Sequence, residues 1–394
     1  MGKSSPNVSI VGLGVTRQGR LPDVTPQDLQ AESLRSAIDD AGLRPSDIDA
    51  YIYQPGVVDM GKFGSGGRIA KRLGIDADLI WSTQVGGLSA MSAICAAAGL
   101  IGSGAARNVA IGYGDTALST RTLVGAAANG PQTPNTMGAY GMYSPGADHA
   151  LAARRHMHLY GTTKEQLGVI AVTARMNANK RPDAYFHDRP LSMDDYLGAR
   201  PIAEPLGKYD YCAMTDGGCT FIVTSAERAA HLNRGGGIDV LGVGFSHSIG
   251  EGFDRIQYSQ SSISRSAKTA LGTAGVAIDD VDVAQIYDCF TIEVLMAIEG
   301  VGLCGVGEGG PYLEDGNIGP DASIPINTGG GELSWGYMQG FTPIAEAVRQ
   351  LRGEGAATQV TGAEISLVTA HGGTATGNGQ MEYADGCMIL RRGI

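Results

Sequence analysis

The chain repeats part of itself, and this repeat limits its fold more than any other feature. Residues 36–49 read SAIDDAGLRPSDID and residues 269–282 read TALGTAGVAIDDVD. Ala37, Ala41, Gly42, Asp47 and Asp49 recur as Ala270, Ala274, Gly275, Asp280 and Asp282, all at an offset of 233 residues. Each copy predicts a helix, a turn and a strand: AYIYQ follows Asp49 and VAQIYD follows Asp282. Alanines four apart share one helix face, which lets the helix lie close on a sheet. A second pair has the same order of small-residue helix, glycine turn and strand, over 87–114 and 340–372. Helices alternating with strands imply βαβ units with right-handed crossovers. The expectation is an α/β protein of two similar halves, 1–114 and 237–394, in five α/β/α/β/α layers.

Residues 115–236 do not share the repeat. Pro, Tyr, His and Arg concentrate there, and a stretch of this length is expected to be a functional loop or lid insertion. Within it, GTTKEQLGVIAVTARMNANKR has a threonine cap and apolar residues at helical spacing, and TDGGCTFIVTSAERA reads as a strand leading into a helix. His156 and His158 are too close to share a helix face, so solvent or loop contacts are their default reading, as for His149.

A formal charge of −11 with no basic run argues against nucleic acid as the main partner. No apolar run reaches the length of a membrane span, and the N-terminus lacks the layout of a secretory signal. The six cysteines form no CxxC pair, which fits a reduced cytoplasmic setting without a zinc site. Gly12-Leu13-Gly14 resembles the start of a dinucleotide loop. The third glycine and the acidic residue beyond it are missing, so no such cofactor is expected.

Duplicated α/β halves around a large insertion resemble the thiolase superfamily. RPLSMDDYLGARPIAEPLGKYDYCAMTDGGCTFIVTSAERA and YDCFT (287–291) resemble its sterol carrier protein x and lipid-transfer-type branch. Laid on that family, STQVGGLSAM puts Val85 where thiolases carry the nucleophilic cysteine. Tyr287 stands at the Asn or His position of the next motif, and Tyr337 replaces the histidine of the Gly-His-Pro loop. His371 replaces the cysteine acid/base of Cys-x-Gly. Valine cannot be acylated, so ordinary thiolase chemistry is not expected. The set resembles the thiolase-like aldolases of bacterial steroid side-chain degradation. That resemblance implies retro-aldol cleavage of a β-hydroxyacyl-CoA, a steroid 17-hydroxyacyl-CoA giving a ketone and propionyl-CoA. It also implies a homodimer with a small OB-fold partner subunit, one that can bear a zinc ribbon.

Retro-aldol and thiolase cleavage both leave an enolate on the thioester side. A β-hydroxy substrate already carries its oxygen and needs only a base, an acid and oxyanion donors. Tyr287 and Tyr337 are the candidates for base and acid, with His371 as helper or relay. An unperturbed phenol has a pKa of about 10, so a tyrosine base needs a polar neighbour. A lone tyrosine or histidine is ordinarily a packing residue, and the motif positions are what single these out. By family geometry, the backbone N–H groups of Val85 and Gly373 form the oxyanion hole. Arg154, Arg155, Lys180 and Arg181 are candidates for the CoA phosphates. The resemblance implies a coenzyme A thioester as substrate and no cofactor or metal. Asp288 reads as structural. Cys289 is the one stand-in nucleophile for an alternative acyl-transferase or thiolase reading. A non-catalytic acyl-CoA- or lipid-binding subunit is the third reading.

Overall fold

The computed structural model describes residues 5–59, 64–122, 144–232, 237–248, 262–375 and 381–393. The two repeated segments form the same unit. In the first half, strand β1 (Val8–Val15) leads to helix α1 (Pro26–Asp40), β2 (Ala50–Pro55), α2 (Ser65–Leu73), β3 (Leu79–Ser82), α3 (Ser89–Gly102) and β4 (Asn108–Asp115). Helices α4 (Pro145–Tyr160) and α5 (Lys164–Asn179) follow, then β5 (Gly217–Ser225). The second half runs β6 (Ile238–Ser248), α6 (Ser264–Ala274), β7 (Val283–Gln285), α7 (Thr291–Val301), a short α8 (Gly331–Ser334), α9 (Phe341–Arg352), β8 (Ile365–Ala375) and β9 (Met381–Arg392).

The nine strands lie in the order β3-β2-β4-β5-β1-β6-β9-β8-β7. Outward from the β1–β6 junction, and with the edge strand β3 set aside, each half reads first strand, last strand, third strand, second strand. The directions match as well: β2 and β4 are parallel, as are β7 and β8, and the other pairs within each half, β3 apart, are antiparallel. Among the described residues, the two half-sheets join through the pairs Ser9–Asp239 and Ile10–Ile238.

The equivalence extends to single atoms. Asp49 accepts from the N–H groups of Arg107 and Asn108; Asp282 accepts from those of Glu364 and Ile365. Strand pairing skips Val11 in β1 and Leu241 in β6, one residue before a glycine in each case. A Cβ on Gly12 would overlap Ala37 O of α1, and one on Gly242 would overlap Ala270 O of α6. The Gly-Leu-Gly stretch is therefore a seat for a helix against a strand.

Neighbouring strand residues bury into different cores because side chains alternate faces. Val11, Tyr51 and Ile222 pack with α1 and α2 on one outside. Ile10, Ile52, Phe221, Val368 and Met388 pack with Met91 and Ile94 of α3 and Phe341 and Val348 of α9. Leu367 and Ile389 pack with α6, α7 and α5 on the other outside. Helix, sheet, helix, sheet, helix is thus a five-layer arrangement, with α3 and α9 in the middle.

The boundary of the insertion needs correction. Gly217–Ser225 falls inside 115–236, yet as β5 it pairs with both β4 and β1 at the heart of the first half-sheet. Its run of buried residues, GGCTFIVT, suits a strand covered on both faces. The threonine cap of α5 is present: the Thr163 side chain accepts from Gln166 N in a capping box. No helix among the described residues is long and apolar enough to cross a membrane, and all six cysteines are free.

Candidate active site

Four separate stretches of chain converge at the N-terminal end of the middle helices, and glycines let them touch. A Cβ on Gly87, just before α3, would overlap the Tyr287 hydroxyl and the His371 carbonyl. One on Gly340, at the cap of α9, would overlap Gly87 O; one on Gly372 would overlap Val85 O. The Val85 loop, Tyr287, the loop bearing Tyr337 and His371 therefore meet in one place. Tyr287 leaves the end of β7, with its N–H on Thr369 Oγ1 at 2.9 Å. Tyr337 lies between α8 and α9, with its N–H on Thr215 Oγ1 at 2.9 Å. Both rings and His371 are buried, at 4%, 6% and 5% exposure, so the site is an interior and not the open cleft that would by itself disfavour a non-catalytic reading.

Two carboxyl groups that sequence reasoning did not single out as functional complete this interior. Glu332, on α8, is wholly buried, and its Oε1 accepts from Gly340 N at 2.8 Å. Its Oε2 has no hydrogen-bond partner among the described residues. Asp288 holds the start of α8 through the N–H groups of Glu332 (2.7 Å) and Leu333 (3.1 Å). Burial pushes the Asp288 carboxyl up to about 7. Burial, with the Asp288 charge second, raises Glu332 well above the usual carboxylate range. Burial also raises the Tyr287 and Tyr337 phenols, and the Glu332 charge adds to both. The Tyr287 hydroxyl faces both Tyr337 and Glu332. Neither tyrosine rests as a phenolate, so a base built on them must pass its proton on.

His371 belongs to a neighbouring network. It pairs with Asp385 across the β8–β9 ladder, so the two side chains share a face. Nδ1 lies 2.8 Å from Asp385 Oδ1, and the ring stacks on Tyr383, whose hydroxyl donates to Asp148 at 2.7 Å. Glu293 of α7 lies between this histidine (3.6 Å) and His149 of α4 (3.8 Å). Polar atoms of His149, Glu293 and His371 all fall within 4.8 Å of one another. Both imidazoles already use Nδ1, on Pro145 O and Asp385, so the cluster reads as a hydrogen-bonded network.

Several expectations change. The Val85 N–H donates to Ser89 Oγ at 2.7 Å, so it is engaged and does not point at a vacant oxyanion position. Gly373 lies in the β8–β9 ladder opposite Tyr383. Arg181 is 4% exposed and ion-paired to Glu346 and Asp183, so its charge serves the interior rather than a phosphate. Arg154, Arg155 and Lys180 are exposed, Arg154 against Glu204 at 3.4 Å. His158 faces solvent as expected, but His156 is buried between Thr162 (2.6 Å) and Glu299 (3.1 Å), and His149 joins the site. Glu332 stands in GGGELSWGYM, five residues before Tyr337; an acid inside an apolar, glycine-rich motif was the signal available.

Comparison with known proteins gives matches over the whole fold. Residues 8–227 match the family described as thiolase, N-terminal domain, and residues 246–382 match thiolase C-terminal domain-like. The chain is 32% identical over 389 residues to the 17-hydroxy-3-oxo-4-pregnene-20-carboxyl-CoA lyase of Mycobacterium tuberculosis, covering 94% of this chain and 98% of that one. It is 32% identical over 370 residues to the steroid side-chain-cleaving aldolase of Thermomonospora curvata, covering 88% and 90%. Among solved structures, the Ltp2-ChsH2(DUF35) aldolase superposes with a TM-score of 0.84 at 28% identity, covering 99% of this chain and 98% of that one.

Proposed function

From the premise that this chain belongs to the thiolase family, we propose that it is a carbon–carbon lyase, cleaving a β-hydroxyacyl-CoA by a retro-aldol reaction. One observation carries this reading. The nucleophile position holds Val85, while two buried phenols and a buried carboxyl, Tyr287, Tyr337 and Glu332, meet beside it. That set cannot form an acyl-enzyme at Val85 but can move a proton.

In the proposed reaction, Tyr287 takes the β-hydroxyl proton as the Cα–Cβ bond breaks. The ketone departs, and the electrons remain as the thioester enolate. Tyr337 protonates the enolate carbon. The buried surroundings strengthen every charge interaction in this sequence and exclude water from the enolate. His371, held by Asp385, packs beside Tyr287 and stacks on Tyr383, where it can serve as helper to the phenols. No cofactor is needed for proton transfer. The names of the two relatives, a pregnene carboxyl-CoA lyase and a steroid side-chain-cleaving aldolase, support a steroid 17-hydroxyacyl-CoA as substrate and propionyl-CoA as product. The exposed Arg154, Arg155 and Lys180 are the remaining candidates for the CoA phosphates.

The two-component title of the structural relative supports a small partner subunit, for which we propose an OB-fold, with or without a zinc ribbon. We further propose a cytoplasmic homodimer. A second reading, acyl transfer through Cys289, has one observation in its favour: its Sγ lies 4.0 Å from His149 Nε2. Burial raises that thiol well above its ordinary range, which keeps it from the thiolate form a nucleophile needs.

The test is incubation of the chain, alone and with a candidate partner, with a β-hydroxyacyl-CoA bearing a tertiary hydroxyl. A ketone and an acyl-CoA shortened at the broken bond are expected in equal amounts. Binding without cleavage in both settings would replace this reading with that of an acyl-CoA-binding subunit.

A further inference from the structure

We propose that Glu332 is the proton acceptor behind the site, acting on substrate through the Tyr287 hydroxyl and so making it the positioning residue for both tyrosines. The inference rests on the retro-aldol reading above and deepens it. Glu332 is fully buried on a four-residue helix whose start is held by Asp288. One carboxylate oxygen is fixed by Gly340 N, and the other has no hydrogen-bond partner among the described residues. A buried carboxyl with an unused oxygen costs stability, and such a group is retained where it has work that a neutral side chain cannot do. Gly340 in turn packs on Gly87, and Gly87 on the Tyr287 hydroxyl, so the carboxyl and the phenol are separated by a short chain of contacts. No buried arginine or lysine pairs with Glu332 among the described residues, so nothing neutralises it permanently.

The proton balance closes. The β-hydroxyl proton passes to the Tyr287 oxygen while the Tyr287 proton passes to Glu332 Oε2. The Cα–Cβ electron pair becomes the enolate. Tyr337 gives its proton to the enolate carbon and is refilled from Glu332 through Tyr287, whose hydroxyl faces both groups. One proton has moved from oxygen to carbon, with no oxidant, reductant or second substrate. Burial and the Asp288 charge hold Glu332 above the ordinary glutamate range, which makes its ionised form a better acceptor for a phenol proton. Activity then requires the carboxylate, so it rises with pH through the raised Glu332 ionisation and falls below it.

The experiment compares Glu332→Gln, Glu332→Asp and Tyr287→Phe with the wild type, with any required partner present and folding checked by melting. Glu332→Gln is expected to lower kcat roughly 100- to 10,000-fold, leave KM essentially unchanged and erase the acidic limb of the kcat/KM profile. Glu332→Asp keeps a carboxylate and is expected to retain that limb with part of the activity. Equal losses in the Gln and Asp variants with an unchanged acidic limb, or wild-type kcat in folded Glu332→Gln, overturns the proposal. A second readout does not depend on turnover: 19F NMR of fluorotyrosine-labelled protein, with the Tyr287 resonance assigned by its loss in Tyr287→Phe. Glu332→Gln removes a negative charge and is expected to lower the pH at which Tyr287 ionises; no shift overturns the coupling even if no substrate is cleaved. Wild-type protein that cleaves nothing while the resonance shifts as expected keeps the coupling and rejects the retro-aldol reading.

Discussion

Tyr337 sits where its backbone is pinned to Thr215 and its ring is buried beside Tyr287, so removing one oxygen atom separates two roles. If its hydroxyl moves a proton in the slow step, Tyr337→Phe lowers turnover roughly 100- to 10,000-fold. If the hydroxyl only packs, the change costs about 1 kcal/mol of stability and leaves turnover largely intact. We expect the first outcome, read at saturating substrate. Tyr287→Phe is expected to behave alike, and the double variant to fall short of the product of the singles, because the two phenols act as a unit. At this scale the sequence was legible where a motif position carried the information: Val85, Tyr287, Tyr337 and His371 come from four distant stretches and meet. It was not legible where a role depends on burial. Glu332 and Arg181 are both charged residues in sequence; only the fold makes one a buried acid with an unused oxygen and the other half of an interior ion pair. Nor could it show that the Val85 N–H turns to Ser89.

Among the elements, the helix–turn–strand repeat could be read because its signal is local: Ala37 and Ala41 seat α1 on Gly12 as Ala270 and Ala274 seat α6 on Gly242. The place of β5 could not, because its partners β4 and β1 are more than 100 and more than 200 residues away in the chain and nothing in GGCTFIVT names them. Strand β3 has a consequence of its own. It ends the sheet, pairs only with β2, and leaves Leu79, Ile80 and Trp81 half-buried. A short apolar edge strand offers unpaired backbone to another chain, and a second copy is the partner that closed symmetry favours. Light scattering is expected to give twice the chain mass. Ile80→Pro, which removes one edge N–H, is expected to shift the protein toward monomer; an unchanged dimer would place the contact elsewhere.

For the whole molecule, the five layers set the chemistry by enclosing it. Helices α3 and α9 run between the half-sheets, and their N-terminal ends meet where Val85, Gly87 and Gly340 lie. A thiolase uses that position for a cysteine at a helix N-terminus, where thiolates are favoured. In the proposed reading, valine here removes the nucleophile, and burial raises the surrounding carboxyl and phenols toward their protonated forms. Cleavage is expected to proceed without a covalent intermediate, and intact-protein mass spectrometry during turnover of a β-hydroxyacyl-CoA reads this out. An unmodified chain mass is expected at every time point while ketone and shortened acyl-CoA accumulate. An acyl adduct that forms and decays at the rate of turnover, on Cys289 or any other cysteine, would contradict it.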